Sequence, residues 1–330
     1  MAKNRIGLGV VPAAIAVVGT VAVAARYRRE MRAARERIDS LGSEVIETAC
    51  GPIEYARIGE GYPVLVVHGA LGGFDQGLMV ADGVIGSGFQ VISISRFGHL
   101  RSPLPPNASF TLQADAYACL LDALGIQQAA VFGISAGANT SIRFAARYPE
   151  RVSALVLFSP AAPGKVRRSA PPRAIFEALM RNDFLYWASI TYLRPWMQSV
   201  IGVPKGFVLS PELEAEVKSV LAQTLPASER ADAFIFEMYS PEWGAEFYES
   251  VSDTSPYPLG GIKPPVLVIN ALDDPLSIPE NVRDMVEKIP NSRLFIVPDG
   301  GHQVLGHTQE VKSEVTQFLR SSVPALNTSL

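Results

Sequence analysis

A doubly wound α/β fold, with a mostly parallel sheet, an inserted block of helices and a hydrophobic helix at its N-terminus, is predicted for this 330-residue chain by three observations. Six short apolar runs are continuous rather than alternating, the pattern of strands buried on both faces of a parallel sheet. Segments with apolar residues at helical spacing separate them, and strand and helix in alternation build βαβ units. The alternation then stops from Ala161 to Lys263 and resumes at Pro265.

The elements follow in order. Residues 6–25, IGLGVVPAAIAVVGTVAVAA, carry no charge, and as a helix they would span about 30 Å, the thickness of a bilayer core. Their Ala and Gly content and Pro12 weaken the insertion tendency. A membrane anchor is the expected reading. The alternatives are an export signal cut after the small-x-small triplet Ala22-Val23-Ala24, and a purely soluble head. Six arginines follow in RYRREMRAARER. Positive charge resists translocation, so an anchored chain is expected to keep the residues after the arginines on the cytoplasmic side, with the arginines near anionic head groups. Residues 1–39 carry a net charge of +5 and the remainder −8, and the total of −3 gives no reason to expect nucleic acid.

Residues 43–49 and 52–59, SEVIETA and PIEYARIG, are expected to open the sheet as a hairpin around Cys50 and Gly51. The buried strands are PVLVV (63–67), QVISIS (90–95), AAVFG (129–133), SALVLF (153–158), PVLVIN (265–270) and RLFIV (293–297). Helices are read in SFTLQADAYACLLDALGI, capped by Ser109 or Thr111, in GANTSIRFAARYPE and in PENVRDMVEKIP. Cys50 and Cys119 form no disulfide framework or zinc pattern and are read as free, buried, small apolar residues.

These boundaries give residues 1–41 as the head with its basic helix, 42–160 and 264–322 as the α/β core, and 161–263 as a helical lid over one end of the sheet. The lid holds all three tryptophans, Trp187, Trp196 and Trp243, and aromatics such as Phe176, Phe184, Tyr192 and Tyr248. Most are expected to form the lid's own core, and some to face an apolar pocket. The last residues, PALNTSL, are expected to be loose.

Ligands in open α/β sheets bind beyond the carboxyl ends of the strands. Four such ends carry chemistry: HGALGG (His68–Gly73), the Ser135 of GISAG, ALDDP with Asp273 and Asp274, and PDGGH ending in His302. A serine between two glycines at a strand-to-helix junction is either a polar turn or a strained elbow that exposes its hydroxyl. An acid, a base and a glycine-rich loop on the same rim favour the elbow.

The order Ser135, Asp274, His302 resembles the α/β-hydrolase fold family, over residues 43 to 320. That class contains esterases, carbon-carbon bond hydrolases and cofactor-free haloperoxidase-like enzymes. The resemblance implies no cofactor or metal. Two departures stand out: Ala271 takes a place where glycine is usual, and Leu100 in RFGHLRSP sits where a second glycine is common.

The chemistry requires these residue types. A serine hydroxyl is a weak nucleophile near neutral pH, so His302 is expected to take its proton, while Asp274 fixes the imidazole and stabilises its charged form. The backbone N–H groups of Ala70 and Ala136 are expected to face the oxyanion. Asp273 is the rival acid, because adjacent residues point opposite ways and only one can face His302. His307 is the rival base, read as solvated or capping in the last helix, and Asp299 is read as a turn residue. His68 is read as shaping the oxyanion loop and His99 as lining the cleft. The expected function is a serine hydrolase acting on a small apolar, ester-like substrate. A carbon-carbon hydrolase, a haloperoxidase-like enzyme and a non-catalytic binding protein are the alternatives.

Overall fold

A computed structural model of the chain describes residues 10–162, 171–240 and 259–324, with residues 10–18 known by their backbone alone. Residues 6–9 of the apolar stretch, Trp243, Tyr248 and 325–330 of the tail lie outside the described residues.

Helix α1 (Val10–Ser40) runs unbroken from the apolar stretch into the arginines. Among the described residues, no helix is long and apolar enough to cross a membrane. The membrane-spanning anchor expected of residues 6–25 finds no support among the described residues, and residues 6–9 of that stretch lie outside them. A correction concerns the basic half of α1. Met31, Ala34 and Ile38, at spacings of three and four, are buried, and Val23 and Tyr27 extend the same stripe. Charge count hid an amphipathic face. Its arginines are also partly taken up by the protein: Arg37 pairs with Asp75 at 2.8 Å, and Arg35 lies 3.4 Å from Glu229 and 3.7 Å from Asp183.

The sheet has eight strands in the order β1-β2-β4-β3-β5-β6-β7-β8. These are β1 (Glu44–Thr48), β2 (Gly51–Ile58), β3 (Tyr62–Val67), β4 (Phe89–Ile94), β5 (Ala129–Ile134), β6 (Val152–Phe158), β7 (Val266–Ala271) and β8 (Ser292–Val297). β1 and β2 are the expected hairpin, antiparallel to each other, and β2 is also antiparallel to β4; every other neighbouring pair is parallel. The core strands are apolar without alternation because both faces are covered. On one face, α3 (Phe110–Ala123), α4 (Gly137–Arg147) and α10 (Pro279–Glu287) bury residues such as Leu65, Val131 and Leu157. On the other, α2 (Phe74–Val84) and α11 (Thr308–Ser322) bury Val66, Phe132 and Ile269. Ser109 caps α3 through a 3.0 Å hydrogen bond from the Leu112 N–H.

Between β6 and β7 the chain carries helices α5 (Arg173–Met180), α6 (Asp183–Tyr192), α7 (Arg194–Val200), α8 (Pro211–Gln223) and α9 (Ala231–Tyr239). They have a core of their own, with Trp187, Tyr186, Val217 and Leu221 buried and α1 supplying Met31 and Ala34. Glu30 on α1 accepts a 2.7 Å hydrogen bond from the Trp187 indole.

Cys50 and Cys119 are not free: they are joined as a disulfide with their Cα atoms 5.9 Å apart, tying the β1–β2 turn to α3. The expectation failed because a spacing of 69 residues says nothing about which hairpin turn meets which helix. In the chain-entropy treatment a loop of that size stabilises by about 4 kcal/mol. Chemical denaturation of a Cys50→Ser/Cys119→Ser variant should read a loss of that order, and the unreduced, denatured wild type should show no titratable thiol.

Candidate active site

The strand order reverses between β3 and β5, which are neighbours although β4 lies between them in sequence. A crevice at such a reversal is where an open α/β sheet binds its ligand. Ser135 follows β5 there, at a φ of 48°, a left-handed conformation that costs a non-glycine residue energy and is kept when the surroundings enforce it. They do so here. The Ser135 N–H donates to the Phe158 carbonyl at 2.9 Å, and its carbonyl accepts from the Ala138 and Ala161 N–H groups, both at 3.1 Å. The motif's second glycine has a steric cause: a Cβ at Gly137 would collide with the backbone carbonyl oxygens of Val67 and His68.

The hydroxyl, the imidazole and one carboxylate form a continuous chain. His302 Nε2 lies 2.8 Å from Ser135 Oγ, and Nδ1 lies 2.9 Å from Asp274 Oδ2. An ionised carboxylate can only accept, so Nδ1–H donates to Asp274 and Nε2 accepts from the serine. Asp274 is buried and also accepts from the backbone N–H groups of Leu276 (2.7 Å) and Ser277 (2.9 Å), which fix its orientation. Asp273 turns the other way and accepts from the Gly301 N–H at 2.9 Å, steadying the loop that carries the imidazole. His307 is bonded to Asp299 at 2.8 Å, which foremost raises its pKa, and has no contact with Ser135; Asp299 is thus more than a turn residue.

The helical insertion grips the same loop. The His302 N–H donates to the Gly202 carbonyl at 3.0 Å, and the Gln303 amide donates to the Ile201 carbonyl at 3.0 Å. Gly202 has a φ of 86°, and a Cβ there would strike His302 Cβ. The His302 imidazole is therefore placed by two parts of the chain at once.

The glycine-rich loop after β3 passes beside the elbow: a Cβ on Gly69 would sit 3.2 Å from Ser135 Cβ. Ala70 is thereby near the serine, and Ala136 follows it at the start of α4, where backbone N–H groups are unpaired by the helix. His68 holds the loop from beneath. It is fully buried, with Nδ1 2.7 Å from the Gly69 carbonyl, and its Nε2 accepts from the Arg96 N–H at 3.0 Å. Burial, then the neighbouring His99 and Arg96, holds its pKa well below the usual value, so the ring is neutral. His99 does not line an open cleft: it is fully buried and packs edge-on against His68 with ring centres 4.4 Å apart.

Two buried ion pairs join core to insertion, and neither was expected. Arg96 forms a two-pronged pair with Glu237 of α9 while its Nη2 donates to the Gly69 carbonyl at 3.1 Å. Arg230 contacts Asp75 of α2 at 2.8 and 3.1 Å and also donates to the Gly72 carbonyl. Both guanidiniums hold carbonyls of the loop that carries Ala70. Leu100, where glycine is common, adopts the left-handed φ of 50° that glycine would favour, held by a 2.8 Å bond from its N–H to the Glu229 carbonyl of the insertion.

Among the described residues no group of three His, Cys, Asp or Glu side chains is placed to hold a metal ion. Residues 62–195 match the alpha/beta hydrolase fold family, and residues 244–329 match the TAP-like protein family. The chain belongs to the α/β-hydrolase fold family. An alpha/beta hydrolase fold protein from Nakamurella multipartita is 27% identical with a TM-score of 0.65, the match covering 86% of this chain and 100% of that one. Uncharacterized hydrolase YcgS of Bacillus subtilis (strain 168) is 37% identical over 117 residues, 35% of this chain. The chain spans only 40% of that relative's length. Lipase 1 of Psychrobacter immobilis is 26% identical over 274 residues, 82% of this α/β-hydrolase and 81% of the lipase.

Proposed function

We propose that this α/β-hydrolase is a serine hydrolase that cleaves an ester-like acyl bond of a small apolar substrate through an acyl-enzyme. The observation that carries the reading is the unbroken contact from Ser135 Oγ through His302 to Asp274, at 2.8 and 2.9 Å. Ser135 Oγ attacks the acyl carbon as its proton passes to His302 Nε2, and the imidazolium is stabilised by Asp274. The carbonyl oxygen takes the negative charge and accepts from the Ala70 and Ala136 N–H groups; one such donor is worth about 3–4 kcal/mol of barrier. Collapse expels the alcohol, which takes the proton from His302. Water then attacks the acyl-serine with His302 again as base, releasing the acid and restoring the hydroxyl.

The acid is Asp274 in this reading, and Asp273 steadies the His302 loop. Asp274→Asn is expected to lower kcat by about 10⁴-fold, because the amide cannot enforce the required imidazole tautomer. Asp273→Asn, which keeps an oxygen for the Gly301 N–H, should cost far less. A p-nitrophenyl ester assay decides, and the reverse ranking would move the acid by one residue.

The N-terminal apolar stretch 6–25 is proposed to associate with a membrane rather than to span it. For the compartment, the Cys50–Cys119 disulfide favours an oxidising, exported setting over the cytoplasmic face that the arginine excess suggests.

A further inference from the structure

The helical insertion exposes more large apolar surface than the rest of the described protein. Phe184, Leu185, Tyr192, Leu193, Trp196 and Val200 on α6, α7 and their one-residue junction are each between 43 and 54% exposed. Leu193, Trp196 and Val200, at spacings of three and four, form one stripe along α7. Solvent alone gives no reason to gather such side chains in one stretch.

Two further observations say what covers it. The first is continuity with the head. Tyr27 of α1 packs edge-on against both Phe184 and Trp187 with ring centres 5.3 Å apart. One to two turns toward the N-terminus α1 enters its uncharged stretch, where Val21 is 62% exposed. The apolar end of α1 therefore leaves the protein beside the aromatic stripe. The second is charge. Arg28 and Arg29 are exposed on the same stretch of α1; Arg26, 6.0 Å from the Tyr192 ring centre, pairs with Glu30 at 2.8 Å, and Arg194, which opens α7, pairs with Glu214 at 2.6 Å. Tyr and Trp beside exposed apolar chains, edged by arginines, is the composition that settles at the boundary of acyl chains and anionic head groups.

We propose that the α6–α7 face, with the adjoining arginines of α1, is a docking surface for an anionic lipid bilayer. It lies in the interface plane and needs no crossing helix. The proposal extends the membrane reading of the head, and its test separates it from both the head and the triad. Insertion of Trp196 would bring α7, and the Ile201–Gly202 turn after it that grips the His302 loop, against the bilayer, so that ester-bearing lipid reaches the site from the membrane.

The test uses the full chain with phosphatidylcholine–phosphatidylglycerol vesicles carrying brominated acyl chains. Of the two tryptophans among the described residues, Trp187 is fully buried and Trp196 half-exposed, so Trp196 is the one of these that a quencher in the membrane can reach. The chain is expected to float with the vesicles, bromolipid is expected to quench its emission, and Trp196→Phe is expected to remove most of that quenching. A chain that floats with no Trp196-dependent quenching, one that does not float, or one that buries this face against a second copy on the vesicle would each overturn the proposal. In a second arm, Leu193→Ser/Trp196→Ser should lower turnover of a vesicle-borne ester severalfold and leave a short, soluble ester unaffected; an equal loss on both would count against docking. If wild type hydrolyses neither ester, the hydrolase reading fails while the quenching result still decides this one.

Discussion

Ser135→Ala is expected to lower turnover of an ester substrate by about 10⁶-fold, the size of loss seen when a triad nucleophile is removed, leaving a residual rate of about 10³–10⁴ over water from the oxyanion donors and binding. The reason lies in the contacts around one oxygen. His302 Nε2 sits 2.8 Å from Ser135 Oγ, and alanine leaves it nothing to deprotonate except water. His302→Ala should cost nearly as much, and the double variant little more, because the two act as one unit. The fold should tolerate Ser135→Ala: alanine meets the same strain at a φ of 48°, and the backbone bonds to Phe158, Ala138 and Ala161 are kept. A lost rate with an unchanged melting temperature separates chemistry from folding.

The largest effect on stability is expected at Asp75. Its carboxylate receives Arg230 from the helical insertion and Arg37 from α1, each at 2.8 Å, so three parts of the chain meet on one fully buried group. Asp75→Ala would strand the fully buried Arg230 guanidinium without a counter-charge, a change that costs about 3–5 kcal/mol. The acid limb should change as well. Burial alone would raise the Asp75 pKa, but Arg230 and Arg37 outweigh it and hold the folded value below the ordinary 3.8. A carboxylate depressed in this way adds stability above its unfolded pKa and loses it as pH falls through the folded one. Wild type should therefore lose this contribution below about pH 4, where the Asp75→Asn variant has none to lose. Urea titrations at a series of pH values measure both, and parallel curves would show that Asp75 is not the lock.

The sheet and the residues gathered at its rim were legible because their signals are local. Continuous apolar runs placed the core strands within a residue or two, and the chemistry-bearing residues follow directly on those runs. Asp273 and Asp274 could be ranked but not separated by sequence, since their placement depends on a loop 28 residues away: Gly301 takes one carboxylate and His302 the other. What stayed hidden was long-range pairing. Arg96 meets Glu237 across 141 residues and Arg230 meets Asp75 across 155, and no period in a sequence records such partners. The disulfide escaped for the same reason. The role of α1 was legible and was missed: Tyr27, Met31, Ala34 and Ile38 already marked an apolar stripe among the arginines.

In the proposed reaction His302 and Asp274 make the Ser135 hydroxyl a nucleophile. The most direct measurement of this is exposure of the folded chain to a fluorophosphonate, followed by peptide mass spectrometry. A single adduct on Ser135, absent in His302→Ala, is the result expected; a folded protein that takes up no label there, or takes it on another serine, would contradict the claim.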